Sequence, residues 1–418
     1  MKVLILTHFY WPESFAAANR VTAFAEHLAS KGHAVTVATG FPNYPTNALF
    51  PGYRNRLFSH ECRKGVRILR SLTYVPSSSG TLSRLLNYVV VSAITFLRLL
   101  VRPPEVDVMV FSSPPLLWAG CAIGLSLLYR WPLVADIRDL WPEIGVLLGG
   151  IRPGSPTHKV FGVAADRLYR RSRAITVTNP AKRGLISRDY GVPAKRISVV
   201  WNGVDACLLE RKGGRGTTPD GWGGDSSFRV LFAGLIGVAQ GVDQIIHAAG
   251  ELRSKNGVHF LLLGDGAEKE KMVTLADQLK LASVSFHESV PRDRLPSYYA
   301  AAHACIVPLK SKALQDSVPS KLFEAMALGC PVVLCADEHS DAAQLVRGAG
   351  GGLVVAPGDA AALAEALERL RSDATLRESM AEGGRRYVLA NYTREAMCSR
   401  LEAVLESAVP HVVEAQGI

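Results

Sequence analysis

Short runs of Val, Ile and Leu alternate with longer helical patterns along the whole chain, and this alternation limits the fold more than any other feature. In the first half the runs are VLIL (3–6), AVTVA (34–38), VRILRS (66–71), VDVMVF (106–111), PLVADI (132–137), AITVT (174–178) and ISVV (197–200). Helix patterns fall between them at 19–31, 82–101, 114–129, 157–172 and 180–190. Strands that read as continuous apolar runs are buried on both faces, which predicts a parallel sheet covered by helices. The stretch RKGGRGTTPDGWGGDSS (211–227) interrupts the pattern and reads as a linker. The alternation then restarts in FRVLFA (228–233), VHFLLLG (258–264), VSFH (284–287), ACIVP (304–308), PVVLC (331–335) and GLVV (352–355). At 418 residues the chain is too long for one ordinary core. The expectation is an α/β protein of two doubly wound, parallel-sheet, Rossmann-like domains facing each other across a cleft. Such sheets bind ligands outside the carboxyl ends of their strands.

Residues 319–333, PSKLFEAMALGCPVV, carry the most chemistry. Ser320 is placed as an N-cap, Lys321 to Leu328 make two helical turns, and Gly329 and Pro331 stop the helix. Lys321 and Glu324 are three apart and share a face. Beside them are the open amides of a helix start, where the dipole favours an anion. A sugar nucleotide fits this set, with Lys321 and the amides on the diphosphate and Glu324 on the ribose hydroxyls. An ordinary solvated Lys–Glu pair would look the same in isolation. Two glycine-rich turns after strands can also bring N–H groups to a phosphate. They are AGLIGVAQG (233–241), with Gly234, Gly237 and Gln240, and LLLGDG (261–266), with Gly264 and Gly266. Glycines are common turn punctuation as well, and no GxGxxG supports a dinucleotide fold.

In the first half, THFYWPESFAAANRV (7–21) places Asn19 either at a ligand or as an N-cap. DIRDLWPE (136–143) closes a strand, where Asp139, beside Arg138 and Trp141, can orient an acceptor hydroxyl or stabilise developing positive charge. A structural Asp–Arg pair is the alternative. The net charge is +10 and the pI about 9.3. No acidic residue lies between Glu61 and Glu105, while Arg63, Lys64, Arg67, Arg70, Arg84, Arg98 and Arg102 do. Within that run, LSRLLNYVVVSAITFLRLLV (82–101) is a poor bilayer span but suits an anionic membrane interface, or equally a helix packed on a sheet. No nucleic-acid-binding module is visible. The seven cysteines have no CxxC spacing, and His8, His287 and His303 have no partner at ligand spacing, so no metal site is expected. No targeting signal is read at the N-terminus, which points to the cytoplasm.

Several of these segments together resemble the retaining nucleotide-sugar glycosyltransferases of family 4, which have the GT-B fold. They are AEHLASKGHAVTVAT (25–39), VVWNGVD (199–205), LLGDGAEKEKM (262–272) and VPSKLFEAMALGCPVV (318–333). With FYWPE, FSSPPLL (111–117), DIRDLWPE and GLIGVAQG, the chain is similar to bacterial transferases of colanic acid and O-antigen synthesis, including fucosyl and N-acetylfucosaminyl transferases. The resemblance implies an acceptor-binding domain over 1–205, a linker over 206–227 and a nucleotide-sugar domain over 228–385. Helices over 386–418 would pack back toward the first domain. It also implies an acceptor such as an undecaprenyl-diphosphate-linked glycan, a place on the inner face of the cytoplasmic membrane, and no cofactor or metal. By the same resemblance Ser320, Lys321 and the amides of Leu322 and Phe323 meet the diphosphate, Glu324 the ribose, Asp316 the donor sugar and Asp139 the acceptor. Two departures stand out. Asp316 occupies the place of the first glutamate of the family's pair, and GLIGVAQG lacks the family's Arg…Lys pair, so Lys321 is left to supply the positive charge. A sugar-nucleotide epimerase and a non-catalytic subunit of the same fold are the rival readings.

Overall fold

The computed structural model describes residues 1–75, 80–147, 149–204, 222, 224, 227–238, 240–255, 257–310 and 318–410. The chain forms two compact units, one of Met1–Trp201 joined by the chain from Met397, the other of Asn202–Ala396.

The first unit holds an eight-stranded sheet in the order β3-β4-β2-β1-β5-β6-β7-β8. Its strands are β1 (Lys2–Leu6), β2 (Ala34–Gly40), β3 (Phe58–Arg63), β4 (Val66–Ser71), β5 (Val108–Ser113), β6 (Leu133–Ile137), β7 (Ala174–Val177) and β8 (Ile197–Val199). All neighbours are parallel except β3, which pairs antiparallel with β4. That edge hairpin was not expected from the sequence, because FSHECR has no apolar run. Lys64 and Gly65 join it with φ of 46° and 78°, the two left-handed residues a tight hairpin turn needs.

Alternate residues of β1 feed two cores. Leu4 and Leu6 pack with Val91, Leu99, Ala122 and Leu168 from helices Thr81–Val101, Ala119–Leu128 and Pro156–Arg171. Val3 and Ile5 pack with Val21, Phe24 and Leu28 of helix Ala16–Ser30 and with Met397, Leu401 and Leu405 of the last helix, Arg394–Ala408. The expected break at 386 falls inside helix Ala374–Asn391, which packs in the second unit, so the return to the first core begins a few residues later. Just before it, Val204 donates to Tyr392 O (2.9 Å) and Arg394 donates to Val204 O (2.9 Å). A Cβ on Gly203 would come within 2.6 Å of Arg394 Cα, so this close approach requires glycine.

The second unit is a six-stranded parallel sheet in the order β11-β10-β9-β12-β13-β14. Its strands are β9 (Phe228–Ala233), β10 (Val258–Leu263), β11 (Val284–His287), β12 (Ala304–Pro308), β13 (Val332–Cys335) and β14 (Gly352–Val355). Val230, Phe232, Phe260, Leu262, Ile306 and Val333 form its core with helices Asp243–Glu251 and Ala360–Ser372. Apart from Trp222, Gly224 and Ser227, the linker expected over 206–227 lies outside the described residues.

Candidate active site

The carboxyl ends of β9, β10 and β11 meet the start of helix Ser320–Ala327 around a cavity of about 330 Å³. Gly234, Gln240, Gly264, Ser320, Lys321 and Glu324 line it, all singled out from the sequence. Ser289, Val290, Leu295 and Tyr299 also line it. The sequence reading missed these four, although Ser289 and Val290 lie within three residues of the end of β11, at the strand end where ligands collect.

The helix begins one residue earlier than expected. Pro319 is the N-cap, and Ser320 is the first helical residue with no capping role. Pro319, with φ of −69° and ψ of 144°, takes the extended N-cap conformation, and Ser320 therefore falls in the first turn. Leu322 N–H donates to Pro319 O at 3.0 Å, so that amide belongs to the first turn and not to a diphosphate, correcting its assignment. The side chains of Leu322 and Phe323 are buried in the core and do not line the cavity.

Lys321 and Glu324 do face it, with Glu324 almost buried. Lys321 Nζ lies 4.4 Å from the centroid of the Phe232 ring, within cation–π range. Gly234 makes the space, since a Cβ there would stand 3.1 Å from Nζ. Burial lowers the Lys321 pKa to about 8, against the opposing pull of Cys305 and Glu324. An amine held in this way is poised to gain from any anion that enters.

The two glycine turns interlock. Gly234 donates to Leu263 O (2.9 Å) and Ile236 to Asp265 O (2.8 Å). A Cβ on Gly264 would lie 1.9 Å from Gly234 O, and one on Gly266 would lie 2.3 Å from Ile236 O. The glycines at 264 and 266 are therefore needed for backbone to pass backbone. Gly266 does not line the cavity, and Gly237 faces an adjoining one with Asp243 and Lys310, which corrects the placement of both at the donor. Asp316 lies outside the described residues.

In the first unit, Asn19 sits within the first turn of helix Ala16–Ser30, donating its N–H to Phe15 O (2.9 Å). Phe15 takes the N-cap position, which corrects the capping role considered for Asn19. Arg138 is buried and directs its guanidinium at Ser113 O (3.2 Å) and Pro114 O (2.9 Å), so it braces a neighbouring loop. Asp139 stands half-buried at the carboxyl end of β6. The strongest buried pair there was missed from the sequence. Arg20 grips Asp136 through two bonds (3.1 and 2.9 Å) and also reaches the carbonyls of Val200 and Trp201 at 3.1 Å each. Burial pushes the Asp136 carboxyl up, and Arg20, helped by Arg138 and Thr176, more than offsets this, leaving it below the usual range.

Two family models match the chain. One, glycosyl transferases group 1, covers residues 224–387, and the other, the glycosyl transferase 4-like domain, covers 16–203. The second unit thus matches a group 1 glycosyl transferase domain and the first a glycosyl transferase 4-like domain. The chain is 26% identical over 361 residues to WcaI of Escherichia coli (strain K12), a protein named for colanic acid biosynthesis, covering 82% of this chain and 86% of that one. Among solved structures, sucrose-phosphate synthase from Thermosynechococcus elongatus superposes with a TM-score of 0.74 at 18% identity, covering 97% of this chain and 98% of that one. Anabaena HepE in complex with UDP-glucose does so with a TM-score of 0.67 at 18% identity, covering 97% and 100%. These likenesses establish the GT-B fold of the chain.

Proposed function

We propose that the enzyme moves a sugar from a nucleoside diphosphate donor to a lipid-linked glycan in bacterial surface polysaccharide synthesis. The anomeric configuration is retained, and Lys321 supplies the charge at the diphosphate instead of a metal. The observation that carries this reading is Lys321 itself, a cation held at a helix start over Phe232, with Glu324 one turn deeper in the same cavity. In such a reaction negative charge grows on the leaving diphosphate, and a fixed cation stabilises the transition state more than the ground state. The UDP-glucose complex of HepE and the name of WcaI support the donor class and the polysaccharide setting. A fucosyl or N-acetylfucosaminyl donor rests on sequence resemblance.

The lipid-linked acceptor draws support from helix Thr81–Val101. Among the described residues it is the one helix long and apolar enough to cross a membrane, by length and composition. Leu82, Val89, Leu97 and Val101 point outward, Leu82 with 72% of its surface exposed. Arg98 is turned inward to Ser59 O and Arg70 O (2.8 and 2.7 Å), which leaves Arg84 and Arg102 as the flanking charges. An exposed apolar face with cationic ends suits the inner face of the cytoplasmic membrane.

The test measures turnover of UDP-, GDP- and dTDP-sugars on an undecaprenyl-diphosphate-linked glycan. Wild type should transfer with retention, read from the product anomer, and EDTA should leave transfer in place. Lys321→Ala should lower turnover about 100- to 1000-fold while weakening nucleotide binding less. Near-wild-type turnover in Lys321→Ala, or an inverted product, would overturn the reading.

A further inference from the structure

Away from the donor cavity, the first unit gathers side chains from two distant parts of the chain. His27 lies in the last turn of helix Ala16–Ser30, His33 in the turn before β2, and Glu402 and Glu406 one turn apart on helix Arg394–Ala408. His33 Nε2 is 2.8 Å from one oxygen of Glu402, and His27 Nε2 is 2.8 Å from the other. The ligand atoms of His33, Glu402 and Glu406 all lie within 4.8 Å of one another. His33 and Glu402 are each only 15% exposed. We propose that His33, Glu402 and Glu406 form a binding site for a zinc-type divalent transition metal, which fastens the last helix to the first unit.

One imidazole and two carboxylates make a donor set for Zn²⁺ and its neighbours in the first transition row. Mg²⁺ and Ca²⁺ take oxygen ligands instead. Two ligands about 2.0–2.1 Å from a tetrahedral ion stand about 3.3 Å apart. From the observed 2.8 Å, His33 Nε2 and the Glu402 oxygen need to part by only about half an ångström. Glu406 closes the third position from the same helix face, and water takes the fourth. Glu402 and Glu406 are like charges four residues apart, an arrangement that weakens a helix unless a cation lies between them. The His27 hydrogen bond to the second oxygen of Glu402 is an outer contact that orients a metal ligand. His33 and Glu402 are 369 residues apart, which hid the group from any reading of spacing along the chain. The site belongs wholly to the first unit and does not depend on the donor chemistry proposed for the second.

The test uses the full chain without an affinity tag, stripped with EDTA and then titrated with Zn²⁺, Co²⁺ or Mg²⁺ under thermal denaturation. Zn²⁺ at about 100 times its dissociation constant should raise the melting temperature by roughly 5–10 °C. Co²⁺ should add visible absorption from a tetrahedral site, and Mg²⁺ should do neither. Glu406→Gln changes an exposed side chain and should fold, yet lose both responses. His33→Gln should lose them too, and if it fails to fold, Glu406→Gln decides. No zinc response, an equal response to Mg²⁺, or a zinc response that survives in Glu406→Gln would each overturn the proposal and leave His27, His33 and Glu402 as a hydrogen-bonded clasp.

Discussion

Replacing Lys321 by methionine should make the protein more stable at pH 7 while it damages the donor site. Burial lowers this lysine from 10.5 to about 8. A cation with a lower pKa in the folded chain than in the unfolded chain is penalised while it is charged. Below pH 8 it is charged in both states and the whole penalty applies. Between pH 8 and 10.5 the folded chain has released the proton and the unfolded chain has not, so the unfolded state binds more protons and stability rises with pH. Above 10.5 neither state is charged and the penalty is gone. The gap between 10.5 and about 8, at about 1.36 kcal/mol per unit, is roughly 3 kcal/mol. Methionine is unbranched, one atom shorter, and can pack its sulfur against Phe232, so most of the gain should be realised. We expect about 1–3 kcal/mol, several degrees in melting temperature for a unit of this size. Calorimetry of the ligand-free protein at pH 7, 9 and 10.5 should show that gain shrinking as pH rises, while nucleotide affinity at pH 7 falls. A variant that is less stable at pH 7, or equally stabilised at every pH, would refute the claim that Lys321 is a cation retained at a cost to the fold.

Three other outcomes follow from the geometry. Glu324→Gln removes the charge expected to accept from ribose hydroxyls and should weaken donor binding about tenfold or more without unfolding the chain, as titration calorimetry would show; the loss of one charge-assisted bond is typically about 1.5–3 kcal/mol. Gly264→Ala drives a methyl group to within 1.9 Å of Gly234 O and should lower stability by about 2 kcal/mol or more, whereas Gly250→Ala, with open space around its Cβ, should be neutral or stabilising in the same denaturant titration. Purified protein should sediment with anionic liposomes at low salt and be released as salt rises, and Leu82→Ser with Val101→Ser should reduce the binding; equal binding to neutral and anionic vesicles would remove the electrostatic part of the membrane reading.

The two sheets were legible because their strands are buried on both faces, so VLIL, FRVLFA and ACIVP carry the signal without help from the rest of the chain. The hairpin strand β3 was not, since FSHECR buries one face only partly and lies at an edge. Its real marker was the pair Lys64–Gly65, a turn signal the search for continuous apolar runs passed over. The start of helix Ser320–Ala327 was misplaced by one residue for a similar reason. Serine is a good cap, but Pro319 precedes it, and Ser320 fell inside the helix. Arg20 was hidden by its context: on a helix pattern it reads as a solvated charge, and only the fold brings Asp136 to it across 116 residues.

Lys321, Gly234 and Gly264 form a single device, and it bears on the departure that the sequence left open. The absence of side chain at Gly264 lets the β9 turn lie against the β10 turn, with Gly234 N–H bonded to Leu263 O. Gly234 in turn leaves a lane for Lys321 Nζ across the face of Phe232. A longer residue at either glycine would close the lane or push the turns apart. The turn GLIGVAQG carries no cation, and its Leu235 and Val238 are exposed apolar residues, so among the described residues the positive charge in the cavity wall is concentrated on one lysine. A single half-buried amine with a pKa near 8 is a weaker fixed charge than an arginine would be, because it discharges within the range where an arginine stays protonated. Donor affinity should therefore fall by about tenfold between pH 7 and pH 9, the change in the charged fraction of a group with a pKa of about 8. In Lys321→Met that dependence should be absent, which makes the slope of affinity against pH a direct reading of how much of the phosphate site this one residue supplies.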